Sequence, residues 1–425
     1  MPLDASAATG AAPASRPRVR DALVVVHRLV GLAIAVFVAV AGITGALLAF
    51  YPELDRALNH DLLGVAPPAE GAVPLHPIEL RDRVQAAMPP SAVVSYVPLD
   101  GAASPRPTSA LVVSVEGHPS GHDEWFVDPY TATLRGSRRW GAFEGGTRGI
   151  MPFVYRLHYS LALGETGALL LGIVALLWTL DCFVGLYLTL PPRRALVGRE
   201  RRTPGRWLRR WHASWIVHAG KQFTAIFTWH RASGLWLWAM LLVFAWSSVG
   251  FNLVQVYRPA TALVLPFADD PRTRLPALEP PRTSPRLDWA DAHARAQDVA
   301  LATARAEGFR VLGENSLGYD ASSGLYQYRF HSTLDVSSSR HANTRIWIDG
   351  DTGALHGVLR PTGAAGDTVT TWLWSLHWGS VSGGGWPLRA FVAICGVGVF
   401  ALSVSGVWIW VARRRRRRTA RTART

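Results

Sequence analysis

The sequence predicts a mainly α-helical membrane protein with four transmembrane helices, duplicated internally and carrying two α+β domains outside the bilayer. Three observations predict this class. Apolar residues are concentrated in four long blocks, basic residues gather at one side of those blocks, and the phrases around the blocks occur twice.

Of the 425 residues, 49% are hydrophobic, and the four blocks hold the densest of them. Residues 23–50 read "LVVVHRLVGLAIAVFVAVAGITGALLAF" and residues 164–190 "GETGALLLGIVALLWTLDCFVGLYLTL". Residues 233–254 read "SGLWLWAMLLVFAWSSVGFNLV" and 386–411 "WPLRAFVAICGVGVFALSVSGVWIWV". Each meets the length of about 20 residues that a helix needs to cross hydrocarbon. "AVAG" at 39–42 resembles a cleavage site, but its apolar run is longer than a signal peptide's core, so an uncleaved anchor is expected. Cys182 and Cys395, the only cysteines, lie inside blocks, which leaves the long loops without disulfides.

Positive charge orients the blocks. Arg16, Arg18 and Arg20 precede the first, nine cations from Arg193 to Lys221 separate the second from the third, and Arg413–Arg418 follow the fourth. Both termini and the basic loop are therefore expected on the cytoplasmic face, and the two long acid-bearing loops on the other. The formal charge of +14 hugs membrane ends, so topology and contact with anionic lipid explain it, and no nucleic-acid partner is expected.

The duplication shows in both loops. "FVDPYTATLRG" (126–136) aligns without a gap on "WIDGDTGALHG" (347–357), sharing Asp128/Asp349, Thr131/Thr352, Leu134/Leu355 and Gly136/Gly357. Each reads as a hairpin. Upstream lie the helical patterns "PIELRDRVQAAM" (77–88) and "WADAHARAQDVALATARAEG" (289–308), with strands "AVVSYVPL" after the first and "GLYQYRFHS" before the second hairpin. Each loop is thus expected to fold as its own small α+β domain. The chain reads as two copies of helix, outer domain, helix, and His27 matches His230 as His158 matches His377.

His27 and His230 begin spans that run outward; His158 and His377 precede spans that run inward. The duplication therefore supplies one histidine pair at each membrane surface. Two imidazoles facing each other across a helical bundle can ligate a b-type haem, and without C-x-x-C-H that haem is noncovalent. Two such haems would divide a hydrocarbon core of roughly 30 Å into shorter electron hops. The bland alternative is four interfacial histidines bonded to headgroups or backbone. Arg28 and Arg231 follow the inner histidines and suit haem propionates, or equally positive-inside anchoring. Asp181, inside the second block, calls for a partner such as Lys221 or Arg231, or for a part in proton coupling. His212 and His218, with Trp207, Trp211 and Trp215, mark an amphipathic segment on the inner surface, and His218 competes with His230 as a ligand. Trp372, Trp374, Trp378 and Trp386 form an aromatic belt or, alternatively, a platform for an outer substrate.

"HRLVGLAIAVFVAVAGITGALLAF", "LHYSLALGETGALLLGIVALLWTLDCFVGLYLTLPP", "WHRASGLWLW" and "LHWGSVSGGGWPLRAFVAICGVGVFALSVSGVWIW" resemble the PepSY-associated transmembrane family of bacterial inner-membrane proteins, which includes siderophore-iron reductases. The resemblance covers nearly the whole chain. It implies outer PepSY domains, haem on His27, His158, His230 and His377, and reduction of ferric chelates in the periplasm. The glycine-rich "GSVSGGGW" departs from the bulkier sequence common there. Some relatives carry a fused flavin reductase; the end at "RRRRRRTARTART" leads to the expectation of a separate cytoplasmic donor, a flavoprotein or quinol.

The expected organisation is a cytoplasmic tail (1–22), a first span (23–50), a first PepSY-like domain (51–155), the His158 segment with the second span (156–190) and a basic loop (191–228). A third span (229–254), a second PepSY-like domain (255–372), the His377 segment with the fourth span (373–411) and a basic tail (412–425) complete it. The expected function is a di-haem b inner-membrane protein that passes electrons to a periplasmic ferric siderophore. The rival is a non-enzymatic anchored module acting on peptides or peptidases; it predicts no haem and tolerance of His→Ala at all four positions. A metal transporter would want more polar residues in the spans than Asp181 provides.

Overall fold

The computed structural model describes residues 19–100, 109–143, 146–191, 204–337 and 343–422. Arg16, Arg18, His341 and the loop arginines from Arg193 to Arg202 lie outside them. In chain order the helices and strands are α1 (Val19–Leu48), α2 (Tyr51–Leu58), α3 (His60–Leu63), α4 (Pro77–Ala86), β1 (Val93–Pro98), β2 (Leu111–Glu116), β3 (Glu124–Val127) and β4 (Leu134–Arg138). Then come α5 (Thr147–Ser160), α6 (Gly164–Thr189), α7 (Pro204–His212), α8 (Gln222–Trp236), α9 (Trp238–Asn252), α10 (Val254–Ala262) and α11 (Trp289–Glu307). The second set of strands, β5 (Val311–Asp320), β6 (Leu325–Ser332), β7 (Thr344–Asp349) and β8 (Leu355–Leu359), precedes α12 (Ala365–Trp378) and α13 (Gly385–Thr422).

Helices α1, α6 and α13 are long and apolar enough to cross a membrane, with mean hydropathies of 2.5, 2.3 and 2.2 over their most apolar stretches. The third expected span is not a single rod. It is built from α8 and α9, bent by 67° at Leu237. In the preceding turn Ser233 Oγ donates back to Trp229 O at 2.7 Å and is followed by Gly234. A serine-glycine pair with such a back-bond is a recurrent site of helix bending.

Among the described residues, packing separates two units. The first lies within Met1–Val36, Leu177–Trp238 and Leu402–Thr425; the second lies within Phe37–Leu176 and Ala239–Ala401 and includes all eight strands.

The expectation of two separate α+β domains is corrected. The strands form one antiparallel sheet in the order β4-β3-β2-β1-β5-β6-β7-β8. The seam is the pairing of β1 with β5, through Tyr96↔Gly318, Val97↔Leu317 and Pro98↔Ser316. β5, rather than "GLYQYRFHS", is the counterpart of β1, because it follows α11 as β1 follows α4. Both helices lie on one shared core: Ile78, Leu80 and Val84 from α4 join Ala292, Ala296 and Ala300 from α11 over Val94, Val113, Leu317, Tyr328 and Ile346. Sequence placed both helices well. Asp288 caps α11 by accepting from Asp291 N at 2.8 Å, and Gly308 ends it at φ +76°.

The two aligned hairpins are the same turn. Asp128 Oδ1 accepts from Tyr130 N and Thr131 N, and Asp349 Oδ1 accepts from Asp351 N and Thr352 N. Both hairpins also bulge at the same place, between Phe126 and Val127 and between Trp347 and Ile348. At the first sheet edge, buried Arg138 ties β4 to α2 and β3, with Nη1 3.0 Å from Asp55 Oδ1 and Nε 2.6 Å from Glu124 Oε2.

Candidate functional site

The four matched histidines fall into two sets, one in each unit. His27 on α1 and His230 on α8 belong to the first unit; His158 on α5 and His377 on α12 belong to the second. Each histidine is fixed at Nδ1 by a side chain from a neighbouring helix. His27 Nδ1 lies 2.9 Å from Asp181 on α6, and His230 Nδ1 lies 2.8 Å from Ser405 Oγ on α13. His158 Nδ1 lies 3.0 Å from Thr44 Oγ1 on α1, and His377 Nδ1 lies 2.6 Å from Ser247 Oγ on α9.

These contacts favour one tautomer. Thr44 Oγ1 donates its hydrogen to Val40 O at 2.6 Å, Ser247 Oγ to Val243 O at 2.6 Å and Ser405 Oγ to Leu402 O at 3.0 Å. With its hydrogen directed to its own helix, each hydroxyl accepts from the imidazole. Asp181 presents both oxygens at 2.9 Å and is likewise an acceptor. All four rings thus carry hydrogen on Nδ1 and a lone pair on Nε2, the arrangement in which imidazole ligates a metal while an outer partner holds its orientation.

Small residues make room for the rings. A Cβ on Gly45 would stand 3.0 Å from His158 Cε1, one on Gly406 3.3 Å from His230 Cε1, and one on Gly185 3.6 Å from His27 Cε1. The rings of His158 and His377 have centroids 6.2 Å apart and planes at 76°. Among the described residues no cluster of three or more His, Cys, Asp or Glu side chains forms a metal site. Two imidazoles per site therefore suit a metal whose remaining positions are filled by a macrocycle.

Two orphaned donors add to the fit. Arg231 Nε, next to His230 in sequence, and Trp374 Nε1, one turn before His377, are buried with no acceptor among the described residues. Both are N–H groups, and both match carboxylates such as the propionates of haem. Arg231 is otherwise engaged through Nη2, which donates to Ala213 O at 2.7 Å. Arg28 is exposed. The expected partners of Asp181, Lys221 and Arg231, are corrected: it pairs with His27. α7 stops at His212, so Trp215 and His218 lie beyond it, and the side chain of His218 is exposed.

His377 also sits in an aromatic shell. Phe244 and Phe251 lie 5.2 and 5.3 Å from its ring, and Phe251 packs on Trp374 and stacks on Trp378 at 5.3 Å. Trp374 and Trp378 thus belong to this shell, whereas Trp386 packs on Phe50 and Trp372 is exposed. The segments after the outer histidines differ. His158 is followed by left-handed Leu161 and Ala162, at φ +53° and +58°, and His377 by left-handed Gly379 at φ +64°. The glycine avoids a strain of about 1–2 kcal/mol per residue that the first copy bears.

A family model described as the PepSY-associated TM region matches residues 24–413, nearly the whole chain. The chain belongs to this family. Among curated proteins, none matches the sequence. With its three long apolar helices, this PepSY-associated member is a multi-pass membrane protein. All four histidines and their Nδ1 partners lie within the matched region.

Sequence reasoning missed the partners Thr44, Ser247 and Ser405. A signal for two of them existed: Thr44 lies 17 residues beyond His27, and Ser247 lies 17 residues beyond His230. In the sheet, His293 Nε2 lies 2.5 Å from Glu314 Oε1, which also accepts from Tyr328 and Gln297. Burial pushes the Glu314 carboxyl up, but these bonds outweigh it and hold the group below its ordinary range. This cluster borders a groove of about 530 Å³ between α4 and α11 and serves their packing on the sheet.

Proposed function

We propose that this chain is a di-haem b electron-transfer protein of the bacterial inner membrane. It passes electrons from a cytoplasmic donor, a flavoprotein or quinol, to a periplasmic ferric siderophore. In this reading α8 and α9 together make the third span, both termini are cytoplasmic, and the sheet is the joined pair of PepSY-like domains in the periplasm. The observation that carries the reading is the set of four histidines, one pair in each unit, each held at Nδ1 by a side chain of a neighbouring helix.

Haem, when bound, supplies a reversible one-electron Fe(III)/Fe(II) couple at each pair. His27 with His230, and His158 with His377, would hold the two irons through Nε2. Asp181, Ser405, Thr44 and Ser247 keep the rings in the required tautomer and orientation. Arg231 and Trp374 offer donors to propionates. The chemistry asks for no acid or base: a ferric siderophore that gains one electron holds Fe(II) in hard oxygen ligands suited to Fe(III), and the iron is released.

The test is the absorption spectrum of the detergent-purified protein, oxidised and dithionite-reduced, with haem quantified per chain. Two b-type haems are expected, one of them lost from each of His27→Ala and His377→Ala. No haem after expression with adequate haem supply overturns the reading and leaves the anchored binding module.

A further inference from the structure

The two copies do not hold their histidines alike. Three of the four Nδ1–H groups donate to a hydroxyl, and the fourth, on His27, donates to a carboxylate. Asp181 is buried, with 9% of its side chain exposed, and no salt bridge among the described residues links it to arginine or lysine. Its two oxygens both face Nδ1, so the imidazole N–H is the donor that the carboxylate accepts from. The duplication does not explain this residue. Aligning Gly185 with Gly406, the two glycines beside the inner histidines, sets Asp181 against Leu402 and places Ser405 opposite Val184. The carboxylate therefore belongs to one copy only.

A hydrogen bond to a carboxylate draws the Nδ1 proton away from the ring and makes Nε2 a stronger electron donor, which a hydroxyl acceptor does far more weakly. A stronger donor favours the more highly charged Fe(III), and a buried negative charge close by favours it again.

We propose, on the di-haem reading above, that Asp181 is a positioning residue that sets the haem of the His27/His230 pair to a lower potential than the haem of the His158/His377 pair. The difference makes electron flow downhill from the first pair to the second. It gives an internally duplicated, otherwise near-symmetric chain a direction. Its action runs through His27, and Asp181 itself touches neither donor nor acceptor.

The experiment is a spectroelectrochemical titration of the full-length protein in detergent, comparing wild type with Asp181→Asn, Asp181→Ser and Asp181→Glu. His27→Ala identifies which potential belongs to which pair. Two midpoint potentials are expected in the wild type, and His27→Ala should retain only the higher. Asp181→Asn and Asp181→Ser should raise the lower potential toward the higher and leave the higher in place, and Asp181→Glu should restore a low value. The proposal is overturned if both haems remain bound and the lower potential stays put in Asp181→Asn and Asp181→Ser. It is overturned equally if His27→Ala removes the higher-potential haem, a result that stands even where Asp181 variants fail to fold. Absence of haem from the wild type would instead sink the electron-transfer reading from which the proposal starts.

Discussion

The histidine pair of the first unit and that of the second share a plan and differ in chemistry. Both use rings locked at Nδ1 from a neighbouring helix, and glycines stand beside three of the four rings. The first pair, however, rests on one carboxylate and one hydroxyl, and the second on two hydroxyls inside a shell of Phe244, Phe251, Trp374 and Trp378. The second is also the tighter: a Cβ at Gly45 would press to 3.0 Å of His158, against 3.6 Å between Gly185 and His27. Duplication thus conserved the ring orientation and left the electrostatics free to diverge.

The comparison can be broken most forcefully by removing both hydroxyls of the second pair. Thr44→Val with Ser247→Ala removes the side-chain acceptor of two buried Nδ1–H groups, at about 1–3 kcal/mol each. Loss of the second-pair haem is expected, seen as about half the haem per chain, with affinity down about 10–100-fold per lost partner. The spectrum of the first pair should persist. A smaller effect should separate the glycines. Gly45→Ala is expected to weaken haem retention at the second pair, whereas Gly185→Ala meets His27 at an ordinary contact distance and should retain both haems. The smallest effect is expected of Thr44→Ser, which preserves the hydroxyl and should leave spectrum and haem content unchanged. If Thr44→Ser behaves like Thr44→Val, the methyl group rather than the hydrogen bond is what His158 needs.

The histidines were legible because ionisable residues at the mouths of apolar runs stand out, and because each has a copy. Their partners were less so. A threonine or serine in an apolar helix ordinarily bonds its own backbone, and Thr44 and Ser247 do that as well as accepting from a ring, so only the shared spacing of 17 residues marked them. Ser405 has no such mark. Asp181 was conspicuous, but its partner was not, since sequence shows the charge and not which helix faces it. The bend at Leu237 follows the Ser233–Gly234 pair, yet the surrounding run is apolar enough to read as one straight span. In the sheet, both helices and both hairpins were readable from caps and turns. β5 was not, because Gly313, Gly318 and the polar "ENS" dilute its strand pattern. The seam with β1 was invisible for a different reason: pairing across 220 residues has no local signature.

That seam has a consequence for the molecule's origin and for any attempt to divide it. β1 and β5 are equivalent strands of the two copies and run antiparallel, which is the relation a two-fold axis imposes on identical neighbours. Each histidine pair takes one member from each copy. A half-length chain expressed alone would hold one ligand of each pair and a bare strand edge, an invitation to aggregate. Two half-length chains meeting at that edge would complete the sheet and both pairs together. What reads along this polypeptide as a repeat is, in the sheet, two four-stranded halves joined edge to edge at β1 and β5.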